Sequence, residues 1–236
     1  MLKRIIKVTW RFIKVNIVYR YLNKDVRISH TFYGSNYGGF FVADTISEIT
    51  NPIVYSLGIG EDISFDREMM RNFNARIFAF DPTPKSIDFI KSQGHMENFN
   101  FRPVAIHSKE GEMLFKLPSD PNFVSGSLES HANVSDFEDI KVEAIKLTSA
   151  MALNEHKHID ILKLDIEGSE YDVIEDWLKS SGGNASQVLV EIHDRYYKEG
   201  RKKSKRMCRL MRDKGYRLFA VSDSLEELSF IKTKEL

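Results

Sequence analysis

The sequence predicts an α/β fold whose mostly parallel sheet finishes in an antiparallel hairpin, on the basis of three observations. From about residue 53, short apolar runs that suit strands buried on both faces alternate with segments of helical periodicity. Short links join these segments, as is typical of right-handed crossovers between parallel strands. The final stretch, YRLFAVSDSLEELSFIK, indicates two strands joined by a tight Ser-Asp-Ser turn.

The composition indicates one elaborated domain in a reducing compartment. The 236 residues, 42% of them hydrophobic, are enough for a substantial core. Lysine and arginine total 34, and aspartate and glutamate also total 34, so the net charge gives no support for nucleic-acid binding. The one cysteine, Cys208, excludes an internal disulfide and a CxxC metal site. We therefore expect a cytoplasmic protein.

Residues 1–45 are predicted to form a helical N-terminal extension and a glycine-rich segment, ahead of a main domain over residues 46–236. The first 21 residues, MLKRIIKVTWRFIKVNIVYRY, contain too many cations for a spanning helix, which needs about 18 clean apolar residues. As a helix they are amphipathic, with the cations on one narrow face. We favour packing of the apolar face on its own domain or on a partner subunit of a homo-oligomer. The alternative is peripheral contact with an anionic membrane at its inner face.

The first half of the predicted sheet follows in order. A strand over residues 53–59, IVYSLGI, leads into the helical pattern ISFDREMMRNF. A second strand over residues 76–81 precedes a helix that begins at Pro84 and ends at Gly94, because proline suits a first helical turn and glycine the C-terminal end. The third strand is predicted over residues 100–106.

The middle of the chain is less regular. EGEMLFKL alternates like a strand, and residues 118–138 are polar and rich in turn formers, which predicts a lid or insertion. The strand IKVEAIKL and a short helix near residues 150–156 follow.

Two more buried strands complete the predicted parallel part. The strand over residues 159–166 leads into a helix from Ser169 to about Ser180. Two glycines then end this helix. The strand over residues 187–194 precedes a basic helix over residues 201–214. The cations of this helix are explained by a charged face that is exposed to solvent. Alternatively, they attract an anionic lipid or a phosphorylated glycan. Nucleic acid is not expected, because no aromatic platform accompanies the charges.

Glycines and polar residues collect at the carboxyl ends of the predicted strands, where ligands bind in an open parallel sheet. These ends are residues 58–61, 81, 105–107, 165–168 and 193–194. Gly58 and Gly60 would let the backbone approach a ligand closely. Asp81 lies 23 residues after Gly58, where a carboxylate is able to accept both hydroxyls of a ribose.

The first loop argues against a dinucleotide. The pattern G-x-G-x-x-G needs glycine at position 63, where this chain has Ile63. Glu61 and Asp62 would also place negative charge where a pyrophosphate binds the helix N-terminus. Both features favour a ligand without phosphates, such as S-adenosylmethionine, a nucleoside that carries an amino acid and a cationic sulfur.

Several of these segments together resemble the FkbM family of S-adenosylmethionine-dependent methyltransferases. They are VYSLGIGEDISFD, FAFDPTP, PVAIHSKEGEMLF, the Ser-Gly-Ser at 125–127, and IDILKLDIEGSEYDVI followed by VLVEIHD. The resemblance covers roughly residues 33–195, and the K-x-D-x-E-G-x-E match is its most specific part. The chain departs from the family at the first loop, where Ser56 stands in place of an acid. The resemblance implies a class I methyltransferase fold with a seven-stranded sheet.

The resemblance also implies methyl transfer from S-adenosylmethionine to a hydroxyl of a sugar, a glycan or a glycolipid or natural-product acceptor. Glu61 or Asp62 would then hold the methionine amino end. The segment YGSNYGGF, with Tyr37 and Gly38, would close over the methionine part. The cofactor-binding residues expected in this way are Tyr37, Gly38, Gly58, Gly60, Glu61, Asp62, Asp81, Pro82, Ala105 and Asp165.

An alcohol needs to lose its proton as the methyl group arrives, either to a placed base or with the help of a metal. His193 is the candidate base, because its unperturbed pKa of about 6.5 lies near working pH. The alternative is a histidine that only hydrogen-bonds a neighbouring acid. Lys163 would neutralise the acids or bind a substrate oxygen.

The acids after the strand over residues 159–166 divide into two groups. Asp165 is expected to face the cofactor or substrate and Glu167 the opposite side. Two later acids, Glu170 and Asp172, fall in a first helical turn and are explained by the helix dipole alone. Asp165, Glu167 and Asp194 also form a candidate Mg²⁺ site, since magnesium prefers oxygen ligands.

Two other classes of function remain open. A nicotinamide-dependent oxidoreductase would use the same kind of sheet, although Ile63 and the acidic first loop count against it. A non-catalytic scaffold would bind the cofactor without turnover and use its basic helices to reach a membrane or a partner. Fold class alone does not separate these functions.

Overall fold

The computed structural model of the chain describes residues 19–118 and 134–233. Most of the proposed N-terminal helix and the centre of the proposed lid therefore lie outside the described residues.

The described residues form twelve strands. In chain order they are β1 (His30–Tyr33), β2 (Phe40–Ala43), β3 (Ile53–Leu57), β4 (Arg76–Phe80), β5 (Phe99–Arg102), β6 (Ala105–Ile106), β7 (Gly111–Pro118), β8 (Val134–Ile145), β9 (Ile159–Leu164), β10 (Ala185–Glu191), β11 (Tyr216–Val221) and β12 (Glu227–Lys232). The central sheet has seven strands in the order β11-β12-β10-β9-β3-β4-β5. All neighbours in it are parallel except β12, which runs antiparallel to both β10 and β11. This confirms the predicted mostly parallel sheet with its terminal hairpin.

Five α-helices accompany the strands in the described part of the chain. They are α1 (Ser64–Phe73), α2 (Pro84–Gln93), α3 (Leu147–Leu153), α4 (Glu170–Ser180) and α5 (Gly200–Asp213). Both predicted ends of α2 are confirmed: Thr83 accepts a hydrogen bond from the amide of Ser86 at the start, and Gly94 follows the last turn with φ of +71°. Within the described residues no helix is both long enough and apolar enough to cross a bilayer.

Hydrophobic cores cover both faces of the central sheet. One core contains Trp177 of α4 and Met207 of α5, and the other contains Phe65 and Met69 of α1. Within β9, Leu162 and Leu164 enter the first core and Ile161 enters the second, because successive side chains of a strand point to opposite faces. The strands therefore carry mostly apolar runs, with a few buried polar side chains such as Gln187 and Ser229 inside them.

The described part of the N-terminal segment packs on the central sheet. Residues 30–43 form the antiparallel pair β1-β2. The buried side chain of Gln187 in β10 bonds both the amide and the carbonyl of Ala43, at 2.8 and 3.2 Å. Asp25 accepts bonds from Arg212 and from the amide of Leu218, both at 2.9 Å. The helical part of the predicted extension stays a prediction, and the described remainder is a short 3₁₀ turn followed by this hairpin.

The predicted third strand over residues 100–106 is wrong in one respect. The chain leaves the central sheet after Arg102, and β6 joins a separate sheet in the order β6-β8-β7. Pro103 explains the break, because proline has no amide proton to donate to a sheet ladder. The proposed lid over residues 118–138 is likewise too wide, since residues 134–138 belong to β8 and Val134 pairs with Pro118.

Candidate functional site

A cavity of about 740 Å³ opens at the carboxyl ends of β3, β4 and β9. It lies where the strand order reverses between β3 and β9, which is where ligands bind in open parallel sheets. Of the ten predicted cofactor-binding residues, all but Glu61 line it. The charged residues of the lining are Asp62, Asp81, Lys163, Asp165 and Glu167.

Asp81 holds the first loop in place. Its Oδ2 accepts hydrogen bonds from the amides of Ile59 and Gly60, at 3.1 and 3.0 Å. Its Oδ1 accepts from the amide and the hydroxyl of Thr83, at 2.9 and 2.6 Å. A carboxylate offers about four acceptor positions, so a ribose hydroxyl binds Asp81 only by replacing one of these bonds.

Gly58 is required by packing of the protein on itself. Its φ is +75°, and a Cβ at this position would overlap the carbonyl oxygen of Asp165. Glycine was expected at this position to let a ligand come close to the backbone. The structure gives a second reason, because the turn after β3 lies in direct contact with the turn after β9.

Asp62 connects the glycine-rich segment to the cavity. Its Oδ2 accepts from the Ser35 hydroxyl at 2.5 Å, and that hydroxyl accepts from the amides of Tyr37 and Gly38 at 3.0 Å. Burial alone would raise the pKa of Asp62, but hydrogen bonds from Ser35 and Ser64 outweigh it and hold the pKa below its usual range. Asp62 is thus the acid of the first loop that offers a negative charge to the cavity, whereas Glu61 is exposed outside it.

Lys163 reaches the cavity floor from β9. It is 3% exposed, its ammonium lies 5.4 Å from the ring centre of Phe40, and it donates to the carbonyl of Gly58 at 3.3 Å. Behind it lies Asp66 of α1, only 1% exposed, whose pKa is raised to about 6 by burial and lowered in part by Lys163. Asp66 gives no distinct signal in the sequence, because an acid in a first helical turn is ordinary.

His193 lies buried among four carboxylates just after β10. Its Nδ1 bonds Glu170 Oε1 at 2.9 Å. Its Nε2 lies 3.2 Å from Glu167, 3.5 Å from Glu191 and 3.7 Å from Asp165. Glu191 was missed, although it precedes His193 by two residues and so lies on the same side of the strand end.

The charge state of His193 argues against its role as a base. Burial alone would lower its pKa, but the charges of Glu170, Glu167 and Asp165 and the bond to Glu170 raise it to about 10. At neutral pH the ring is an imidazolium with no lone pair to accept a proton. His193 hydrogen-bonds a neighbouring acid, Glu170, which is the alternative that the sequence left open.

The direction predicted for Glu167 is wrong. Glu167 shares the His193 site and the cavity with Asp165, and it accepts a bond of 2.6 Å from the Tyr196 hydroxyl. The alternation of a strand no longer applies there, because β9 ends at Leu164 and Glu167 has a left-handed φ of +53°.

Glu170 contributes more than a favourable helix dipole. It is fully buried, and it accepts from the amides of Ile166 and Gly168 at 2.8 and 2.9 Å as well as from His193. It therefore holds the acidic turn after β9 and the imidazolium after β10 together.

The proposed magnesium ligands do not come together as one set. Asp194 begins a 3₁₀ turn and lines a different cavity, beside Tyr19 and Tyr21. In the described residues the group with metal-like spacing is Asp165, Glu170 and His193. This set includes a histidine nitrogen, whereas Mg²⁺ prefers an all-oxygen ligand set, so it fits Mg²⁺ poorly.

Comparison with known proteins identifies the family. A model of the "Methyltransferase FkbM domain" family matches residues 55–218, which include β3, the acidic turn and β10. The chain belongs to this FkbM methyltransferase family. Its seven-stranded sheet is accordingly the Rossmann-like fold of class I methyltransferases.

Individual relatives of this FkbM chain are distant. A human protein named "Probable methyltransferase-like protein 24" is 27% identical over 144 residues, which are 59% of this chain. The match spans about a third (32%) of that human protein's length. Among solved structures, methyltransferase FkbM from Methylobacillus flagellatus KT superposes with a TM-score of 0.49 at 8% identity, over 77% of this chain and 43% of the other.

A second solved structure is the fibrillarin pre-rRNA processing protein of Methanococcus jannaschii. It superposes with a TM-score of 0.47 at 11% identity, over 81% of this chain and 70% of the other. The FkbM assignment rests on the domain match, to which these superpositions add nothing.

Proposed function

We propose that this chain transfers a methyl group from S-adenosylmethionine to a hydroxyl of a sugar, glycan or glycolipid acceptor. One observation supports this most: in a chain of a methyltransferase family, the cavity at the switch point is lined by four carboxylates and one ammonium group. Such a lining favours a ligand that carries positive charge and disfavours a pyrophosphate.

The lining suits the parts of this cofactor. Asp62, held as a carboxylate, would bind the ammonium of the methionine end. The apolar side chains of Phe80, Ile106 and Phe115 also line the cavity and would flank the adenine. Asp81 would meet the ribose by exchanging one of its loop bonds. When bound, the cofactor supplies a methyl group on a positively charged sulfur.

The acceptor hydroxyl would lose its proton to Asp165. This carboxylate lines the cavity, and burial raises its pKa to about 6 against the opposing charges of Lys163 and His193. A pKa nearer to neutral makes a carboxylate a better proton acceptor. His193 would act as a positioning residue, because its fixed positive charge lets several acids share one buried site. Lys163 would bind a substrate oxygen or offset the acids.

The proposal is tested by incubating the purified chain with methyl-labelled S-adenosylmethionine and a panel of sugars, glycans and glycolipids. Methyl ether formation is then followed by mass spectrometry. We expect Asp165→Asn to lose at least about a hundredfold in turnover, which is typical of a lost acid–base group, while it still binds S-adenosylhomocysteine. Asp172→Asn, at an exposed position in the first turn of α4, is the matched control and should keep full activity.

Three outcomes would contradict the proposal in part or in whole. Full turnover by Asp165→Asn would remove Asp165 as the base. Cofactor binding without turnover on any acceptor would favour the non-catalytic scaffold, and binding of NADH would favour the oxidoreductase.

A further inference from the structure

A second cavity lies beyond the carboxyl end of β10 and is strongly basic. Six cations and two acids line it, although the whole chain has no net charge. The cations are Arg20, Arg195, Lys198, Arg201, Lys202 and Lys205, and the acids are Asp194 and Glu199. Positive charge is therefore concentrated here, and balanced by negative charge elsewhere in the molecule.

Only some of these cations are neutralised by the protein. Arg195 pairs with Glu226 at 2.8 Å, and Lys202 pairs with Glu199 at 2.5 Å. The other four side chains make no ion pair with any residue among 19–118 and 134–233. All four are exposed, so they are available to a ligand.

The start of α5 adds to the positive field. This helix of 14 residues begins at Gly200 with no acid in its first turn, and Arg201, Lys202 and Lys203 follow at once. Cations at a helix N-terminus are repelled by the helix dipole. A bound anion would offset this repulsion.

The basic cavity adjoins the acidic one. Tyr197 lines the basic cavity and donates to the carbonyl of Gly168 at 3.0 Å, inside the acidic turn. Its neighbour Tyr196 donates to Glu167, which lines the first cavity. Gly168 permits the contact, since a Cβ there would overlap the Tyr197 hydroxyl. The two cavities thus lie on either side of one tyrosine–glycine contact.

We infer that the acceptor carries a phosphate group, and that this group binds in the basic cavity while the acceptor hydroxyl lies at Asp165. The inference rests on the proposed function, because it names the class of its acceptor. A phosphate ester fits because it takes several charge-assisted hydrogen bonds from arginine and lysine at once. The phosphate belongs to a soluble sugar phosphate or to a lipid-linked one.

The test compares two triple variants of the full chain. The cavity variant combines Lys198→Gln, Arg201→Gln and Lys205→Gln. The control variant combines Lys109→Gln, Lys157→Gln and Arg209→Gln, which remove the same charge from exposed positions outside the cavity. Thermal unfolding checks that both fold, and the single variant Arg201→Gln serves if the triple is unstable.

Glucose 1-phosphate and glucose are the soluble probes, and their binding is followed by ligand-observed NMR. Vesicles of phosphatidylcholine with and without phosphatidic acid are the lipid probes, and their binding is followed by cosedimentation. S-adenosylhomocysteine affinity is measured separately in each protein.

We expect a phosphate-bearing probe to bind the parent chain in preference to its phosphate-free partner. The cavity variant should bind it at least about tenfold more weakly, since a lost charge-assisted contact is worth about that factor. The control variant should stay within about twofold. Binding of glucose 1-phosphate would identify a soluble acceptor, and binding of the phosphatidic acid vesicles alone a lipid-linked one.

Equal binding by the two variants, or no preference for phosphate in the parent, would overturn the inference. S-adenosylhomocysteine binding that is unchanged in both variants would then leave the proposed function standing. Absence of S-adenosylhomocysteine binding in the parent would remove the proposed function instead, whatever the phosphate probes show.

Discussion

His193 is the residue on which the acidic site depends. A buried cation among four acids offsets part of their mutual repulsion, and its ring joins the strand ends of β9 and β10 through Glu170. Lys163 serves the adjoining cavity floor in a similar way, beside Asp66 and Asp165. The acids of this site are therefore kept at close range by two buried cations.

Removal of the Glu170 charge should destabilise the fold. Glu170→Gln removes the carboxylate bonded to His193 Nδ1 and disrupts the bonds to the amides of Ile166 and Gly168. We expect a loss of about 2–4 kcal/mol in the free energy of unfolding, measured in urea. Asp172→Asn, exposed in the same helix, should change it by less than about 0.5 kcal/mol. Similar values for the two variants would contradict the role given to Glu170.

Stability should fall as the pH rises above neutral. The pKa of His193 is about 10 in the folded chain against 6.5 unfolded, so its contribution is complete below about pH 6.5 and is lost as the pH approaches about 10. The pKa of Glu191 is raised to about 8 by burial and by Asp165, which acts in the same direction. Urea unfolding across this range should show the decline.

His193→Gln is the variant that isolates this effect. It removes the titrating ring, so its free energy of unfolding should vary much less between about pH 6.5 and about pH 10. The same slope in parent and variant would show that other groups cause the pH dependence.

At this scale the sequence predicts which residues meet better than it predicts how they act. His193 and Asp165 come together because parallel strands end at one edge. The direction of the Glu167 side chain depends on its left-handed backbone conformation, which the sequence pattern does not predict. The role of Glu170 depends on its contact with His193, which is 23 residues away in the chain. The charge of His193 depends on the number of acids around it.

Turns between elements bring the site together. The turn after β3 and the turn after β9 are in direct backbone contact at Gly58, and β6 supplies Ala105 and Ile106 to the cavity from the second sheet. Periodicity predicted most of these strands and helices, because their burial is two-sided or amphipathic. It missed the break at Pro103, although the missing amide proton is visible in the sequence.

Gly58→Ala should lower the free energy of unfolding much more than Gly182→Ala, although the two glycines have similar φ angles. Its Cβ would overlap the Asp165 carbonyl, so the two turns must separate. Gly182 has φ of +72° with nothing within 4 Å of an added Cβ, so Gly182→Ala should cost only backbone strain of about 1–2 kcal/mol. Gly58→Ala should cost at least about 2 kcal/mol more in urea unfolding, and equal costs would contradict the turn contact.

The whole molecule combines two cavities of opposite charge at one edge of a sheet. The acidic cavity suits a cationic cofactor, and the basic cavity beside it suits the anionic part of an acceptor. The sequence predicted the sheet and the first cavity, since motifs carry them. The second cavity brings together residues from the N-terminal segment, the turn after β10 and α5, which no local pattern connects.

Calorimetry tests whether the acidic cavity binds S-adenosylmethionine. The chain and Asp62→Asn are titrated by calorimetry with S-adenosylhomocysteine and with NADH, in the presence and absence of Mg²⁺. We expect micromolar binding of S-adenosylhomocysteine alone, independent of Mg²⁺ and at least about tenfold weaker in Asp62→Asn. Binding of NADH, or of neither ligand, would contradict this expectation.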